Sequence, residues 1–259
     1  MKHNLLKKAL GILLLSLSAI TVTMAAKPIR ILLVSGGCFH EYYLKQNKIL
    51  VDSINKYVPN IEWNYILGNE TTDNILPILS GKDYTRGYDL VIYNICWADV
   101  KDTAYINNIC RNHREGVNAI VLHCTMHTFR DAGDEEWKKF LGADSHNHGA
   151  PRKFSVTNVN PAHPVMKYFP AKWTTPVDEE LYVIKREFPT TVPLAKSIDA
   201  DDGKDYTTIW SNTYGKAQII GSTIGHTNAT FQDHDYIMFL AQSVLWLCHK
   251  LDVNGNPIK

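Results

Sequence analysis

This sequence lacks an excess of charge. Its 27 Lys and Arg stand against 26 Asp and Glu, a formal net charge of +1. A balance of this kind gives no electrostatic case for nucleic acid or for an anionic membrane. The chain has no internal repeat and no low-complexity tract, which excludes solenoid and disordered classes. It has no C-x-x-C pair, no G-x-G-x-x-G, no lysine-bearing phosphate loop and no H-E-x-x-H. The absence of a phosphate cradle makes a nucleotide enzyme a weak reading. No G-x-S-x-G surrounds any serine, so there is no serine-hydrolase signature. The longest apolar run, Ala9 to Val22, is short for a membrane span, which needs about 20 residues.

That run belongs to a three-part leader. Lys2, Lys7 and Lys8 come first, then the apolar stretch, then Thr23-Met24-Ala25 with small residues where a signal peptidase reads. We read residues 1–25 as a secretory signal peptide and 26–259 as a single domain. No cysteine lies near the cleavage point, which argues against a lipid anchor. The mature chain is expected to be exported, periplasmic or extracellular, and not membrane-bound after cleavage. Its five cysteines are Cys38, Cys96, Cys110, Cys124 and Cys248. Export permits disulfides, but spacing cannot pair them. The expectation is mostly buried free thiols, because cysteine packs as a small hydrophobe.

Apolar runs alternate with helical patterns. Strands are expected at 29–37, 61–67, 88–97 and 117–124, and helices at 41–58 and 104–116. Near-continuous apolar strands between helices predict an α/β fold of three layers. Its sheet is mostly parallel, with helices on both faces. From about Asp144 to Lys204 the texture changes to short strand-like runs between prolines, read as an antiparallel extension of the same sheet. Residues 206–212 and 215–226 pair through a Tyr214-Gly215 turn. A last helix carries Ile237, Leu240, Ala241, Val244, Leu245 and Cys248 on one face, capped by Asp233.

Ligands of such sheets bind outside the carboxyl ends of the strands. Past the first strand come Gly36, Gly37 and His40. Past the third come Trp97 and Asp99, and past the fourth come His123 and His127. Past the last comes His226, behind Gly225. Three strands therefore bring His40, His123 and His226 to one rim. The glycines let the backbone turn and approach a ligand. Cys124 sits at a strand end beside a histidine, which fits a thiol nucleophile with His226 as base. Its neighbours are His123 and Thr125 rather than small residues, a poor elbow. Packing is the favoured role.

The chain resembles the ThuA-like (trehalose utilisation) family from about Ile29 to His249. The carriers are "VSGGCFH", "GYDLVIYN", "GVNAIVLHC", "EEWKKFLGADSHNH", "HPVMKYFP", "DEELYVI" and "YGKAQIIGSTIGHT", in that order. The resemblance implies a fold like class I glutamine amidotransferases and flavodoxins, with the cysteine chemistry lost. His226 is followed by Thr227 and Asn228 instead of Pro-Glu. It implies carbohydrate utilisation and a secreted glycosyl hydrolase. It places the family's glutamate at Glu180 and favours His148 over His146 for the family's histidine. Ala217-Gln218 replaces Gly-Arg and removes an anion-binding arginine.

Glycosidases of the usual kind need two carboxylates. The sequence names Glu180, with Glu179 or Asp131 as candidates for the second carboxylate, but no confident pair. Histidine suits proton transfer near neutral pH. The expected reaction is cleavage of a disaccharide or glycoside, as hydrolase or lyase, on a sugar oxidised to its 3-keto form. His226 would be the base, Glu180 or His123 the acid, and His40 the partner of the enolate oxygen. Gly36, Gly37, Trp97, Arg130 and Tyr182 are the further substrate-binding candidates. A divalent metal is the rival role for histidine: His146-x-His148 on a strand would point both rings to one side. A second class of reading is a sugar-binding protein without turnover, stacking sugars on Tyr42, Tyr43, Trp97, Phe129, Tyr182 or Phe231. A cysteine hydrolase using Cys124 is the third.

Overall fold

The structure is a computed structural model that describes residues 27–38, 40 and 45–258. The leader at 1–25, the start of the helix expected from residue 41, and Tyr42 and Tyr43 lie outside the described residues.

Apolar alternation builds the first half. β1 (Ile29–Gly37) leads through α1 (Asn47–Asn55) to β2 (Ile61–Leu67), then to β3 (Leu90–Cys96), α2 (Thr103–Arg114) and β4 (Asn118–Leu122). α3 (Glu136–Leu141) follows, then β5 (Ala143–His148), β6 (Ser155–Asn158), β7 (Lys172–Thr174), β8 (Tyr182–Glu187) and β9 (Thr191–Ile198). The hairpin β10 (Asp205–Tyr214) and β11 (Ala217–Ser222) returns the chain to the centre, and α4 (His234–Leu247) closes the fold. The sheet order is β2-β1-β3-β4-β11-β10-β9-β6-β7. The first five strands are parallel, and the last four form the antiparallel extension. β5 and β8 make a separate antiparallel pair.

Successive strand residues face opposite sides of the sheet. Ile31, Leu33, Leu90, Ile92, Ile120 and Ile220 pack on one side with α1 and α4, through Leu50, Ile54, Leu240 and Val244. Leu32, Val34, Val91, Tyr93, Val121 and Ile219 pack on the other with α2 and α3, through Ile106, Ile109, Phe140 and Leu141. Each such aliphatic side chain, fully buried, contributes roughly 1.5–3 kcal/mol. The Asp102 side chain accepts from Tyr105 N and that of Asp233 from Tyr236 N, capping α2 and α4. Each cap stabilises its helix by about 1 kcal/mol.

Candidate functional site

β1, β3, β4 and β11 end at one edge of the sheet, where their loops enclose a cavity of about 230 Å³. It is lined by His40, Cys96, Ala98, Cys124, His127, Arg130, His148, Glu180, Tyr182 and His226. Its volume falls below the ~300–1,000 Å³ usual for drug-sized ligands. A single sugar ring suits it better than a whole disaccharide.

His40, His123 and His226 converge, each with one ring nitrogen within 4.8 Å of the others. Their ring centroids stand 4.9, 5.1 and 5.4 Å apart. β4 delivers His123 at a φ of 44°, in the left-handed region. A side chain there costs about 1–2 kcal/mol. The strained position of this strand-to-turn elbow is thus His123 and not Cys124. Thr125 Oγ donates to Tyr93 O (3.0 Å) and pins the following 3-10 turn. Gly225, at a φ of +132°, makes room for the elbow; a Cβ there would stand 2.9 Å from the Phe231 ring and 3.4 Å from His123 Cβ.

The β5–β8 pair lies across this edge. His148 pairs with Tyr182 in its register. Glu180, just before β8, places Oε2 3.4 Å from His123 Nε2, from His148 Nε2 and from His226 Nδ1. Burial pushes the Glu180 carboxyl up, but the close approach of His123 and His226 outweighs it and holds the group well below the usual carboxylate range. Burial, helped by repulsion from the neighbouring histidines, lowers His40 and His127 to about 3. The Glu180 carboxylate raises His226.

The adjacent acid does something else. Glu179 is 0 % exposed and faces away from the cavity into the loop after β11. It accepts from the backbone N–H groups of Gly225, His226 and Thr227 and from the hydroxyls of Thr227 and Thr230. Glu179 therefore holds the backbone that carries His226. The sequence reading missed this clamp. The available signal was the Glu-Glu step itself, since neighbours on an extended chain point to opposite sides.

Several expectations need correction. Cys96 and Cys124 form a disulfide with a Cα–Cα distance of 5.2 Å. β3 and β4 are parallel partners with Leu90 opposite Asn118 and Tyr93 opposite Val121. Carrying that register forward sets Cys96 opposite Cys124, so the two are a bonded pair rather than free thiols. The bond leaves Cys124 no thiol with which to act as a nucleophile. Cys38, Cys110 and Cys248 are free. Trp97 does not face the cavity. It continues the alternation of Tyr93 and Ile95 into the core on the α2 side and is 0 % exposed. Phe129 and Phe231 are core residues as well.

Gly36 and Gly37 do not line the cavity. A Cβ on Gly37, at a φ of +132°, would stand 2.8 Å from Cys96 Cβ. That glycine serves strand-to-strand approach. His146 and His148 do not point together. The pairing of β5 slips between Ser145 and Asn147, and this irregularity breaks the two-residue alternation. His146 Nε2 meets Asp144 (3.0 Å) and Lys138 Nζ (3.3 Å), while His148 turns to Glu180. His127 joins the wall instead, stacked on Tyr182 at 4.2 Å and 9°. Arg130, at the rim, donates to His146 O (3.3 Å).

The fold has relatives among solved structures. A ThuA-like protein from Parabacteroides merdae superposes with a TM-score of 0.72 at 15% identity, over 90% of this chain and 92% of that one. Another from Bacteroides uniformis gives 0.69 at 16%, over 92% and 98%. A carbohydrate deacetylase, Agd3, gives 0.54 at 14%, over 86% of this chain but 32% of its own. At these identities the likeness is one of fold. No curated protein matches the sequence. Residues 37–247 match the family ThuA, described as trehalose utilisation, and with most of its length inside that match the chain belongs to the ThuA family.

Proposed function

We propose that this protein is an exported enzyme that cleaves a small glycoside or disaccharide whose sugar ring already carries a ketone. The observation that carries the reading is Glu180, one carboxylate with three imidazole nitrogens at 3.4 Å in a cavity of sugar-ring size. Glu180 is the one carboxylate lining that cavity among the described residues, because Glu179 is engaged by its loop and Asp131 pairs with Arg130 outside it. A two-carboxylate glycosidase mechanism therefore has no second acid here. A ketone at C3 removes the need for one, because it acidifies the C2 proton.

Glu180 takes the C2 proton, and the C–H electrons form the C2–C3 double bond of an enolate. The enolate electrons then return, the C1–O bond breaks, and the aglycone oxygen leaves with its electron pair and takes the proton that Glu180 has just accepted. Addition of water to the resulting enone would complete hydrolysis. This moves the base from His226 to Glu180, the negative group that the histidines surround. The depressed carboxyl stays ionised, but it is a weak base. His226, which the Glu180 carboxylate favours in its protonated form, can donate to the enolate oxygen and offset that deficit. Arg130 and Tyr182 meet the sugar hydroxyls.

The disulfide beside the cavity supports an oxidising compartment. Among the described residues no helix is long and apolar enough to cross a membrane. The proposed partner is a small carbohydrate, with neither nucleic acid nor, after leader cleavage, a membrane. A non-catalytic sugar-binding role loses support because Trp97, Phe129 and Phe231 are packed in the core.

The test offers purified protein trehalose and 3-keto-trehalose. The proposal expects glucose release from the keto sugar only, abolished in Glu180→Gln. Equal turnover of the unoxidised sugar would overturn it, and so would binding of the keto sugar without any turnover.

A further inference from the structure

The orientation of the histidines around Glu180 raises a separate question. His123 Nδ1 lies 2.8 Å from Thr223 O, and a carbonyl can only accept, so Nδ1 carries the proton. His148 Nδ1 likewise donates to Gly149 O at 2.9 Å and His40 Nδ1 to His226 O at 3.2 Å. In their neutral forms these rings therefore present lone pairs at Nε2. The lone pairs of His123 and His148 point at a carboxylate oxygen 3.4 Å away. Acceptor faces acceptor across both gaps. His123 is 1 % exposed, and its Nε2 makes no hydrogen bond among the described residues; nor does the buried Nδ1 of His226. One extra proton would relieve one such gap. One cation held by His123, His226 and Glu180 would engage both unpartnered nitrogens at once.

The distances approach those of a metal site: the three ligand nitrogens lie within 4.8 Å of one another, so a bound ion would draw them in. Ligand bonds of about 2.0–2.1 Å in a tetrahedron put ligand atoms roughly 3.4 Å apart and imidazole centroids roughly 5.3 Å apart. Glu180 Oε2 stands 3.4 Å from both His123 Nε2 and His226 Nδ1. The three ring centroids stand 4.9 to 5.4 Å apart. The surroundings also match those of a metal ligand. Rings that bind metal donate their other N–H to a carbonyl or carboxylate, which fixes tautomer and aim. His40 and His123 both do so, and Glu179 secures the backbone of His226 through Gly225, His226 and Thr227.

We infer that His40, His123 and His226, with Glu180 at the fourth corner, form a binding site for one divalent transition-metal ion of the zinc type. Imidazole-rich sets favour such ions over magnesium or calcium. The inference concerns binding alone and stands whether or not the keto-sugar reaction is correct. Where both hold, an ion held there would supply Lewis-acid polarisation of the sugar ketone, and Glu180 would leave the fourth corner to act as base.

The test uses the mature protein, stripped with chelator and dialysed. Zinc chloride is titrated calorimetrically, and cobalt is added for its visible spectrum. One equivalent of zinc per chain and the intense absorption of tetrahedral cobalt are expected, with no response to magnesium. His123→Gln and His226→Gln should each weaken zinc by more than ~100-fold. His146→Gln should leave binding unchanged. Circular dichroism checks that each variant is folded, and His226→Gln, at a partly exposed residue, guards against misfolding of His123→Gln. Less than a tenth of an equivalent in folded protein would overturn the inference. So would stoichiometric zinc that survives both substitutions. Zinc bound without any sugar turnover would keep the site and sink the reaction; turnover by folded protein that takes up less than a tenth of an equivalent of zinc would do the reverse.

Discussion

His113 and His123 are both buried in the core of one chain, on α2 and at the end of β4, and their surroundings differ in one respect. His113 has both nitrogens engaged: Nδ1 donates to Val117 O at 2.6 Å, and Tyr93 Oη donates to Nε2 at 2.8 Å. Phe140 stacks on its ring at 4.6 Å. His123 has one nitrogen engaged and the other aimed at a carboxylate without a hydrogen bond. Buried polar groups are normally satisfied because an unmade bond costs about 1–3 kcal/mol. The satisfied histidine is structural. The unsatisfied one sits at a strained φ, among other histidines, behind the cavity that Glu180 and His226 line, and the proposed site is what would use its deficit.

Changes at the cavity should break activity and spare the fold. Glu180→Gln removes the base and should lower turnover of a 3-keto glycoside by ~10²–10⁴-fold. It also relieves the acceptor-against-acceptor contacts with His123 and His148. The urea midpoint should therefore hold or rise. A folded variant with wild-type turnover would remove Glu180 from the chemistry.

The neighbouring acid should behave in the opposite way. Glu179→Gln replaces one acceptor oxygen with a donor amide facing backbone N–H groups and hydroxyls. Two or more buried donors lose their partner, which should cost roughly 3–5 kcal/mol in urea unfolding. Activity should fall less than in Glu180→Gln, through loosening of the His226 loop. Finding Glu179→Gln as stable as wild type would show that the clamp is not structural.

Acid should expose the satisfied, structural histidine next. Burial lowers His113 to about 4 from an ordinary 6.5. As pH falls below 6.5 the unfolded chain takes up a proton that the folded chain refuses. Stability is unaffected above that point, declines down to about pH 4 and then levels. The loss assignable to His113 is about 3 kcal/mol. His40 and His127 are lowered as well and act in the same direction. The readout is therefore a difference: urea unfolding from pH 7.5 to 4 in wild type against His113→Phe. A flatter pH dependence in the variant is expected, and parallel curves would contradict it.

The fold was legible because its signals are local. The parallel strands and α4 announce themselves by apolar periodicity, and the convergence of His40, His123 and His226 follows from strands that share a direction. What could not be read depended on register and on small irregularities. Pairing Cys96 with Cys124 requires knowing that β3 and β4 are in-register neighbours. Trp97 looked like a rim residue because it follows a strand, yet its parity carries it into the core. The inward turn of His127 requires the 3-10 conformation of residues 123–127, which the local sequence does not announce.

The smallest expected effect tests another such irregularity, the slip in β5. By spacing alone, His146 and His148 are equivalent members of one H-x-H, and strand alternation would give them the same role. The slip in β5 divides them: His146 joins Lys138 and Asp144 beside α3, and His148 joins Glu180 at the cavity. His146→Ala should change turnover by less than about twofold and stability by no more than ~0.5 kcal/mol, as for other partly exposed polar contacts. His148→Ala removes a ring from the cavity wall and should lower turnover well beyond that. Equal effects of the two substitutions would mean that β5 runs as a regular strand, with both histidines on one side and the site reaching further along it than the cavity does.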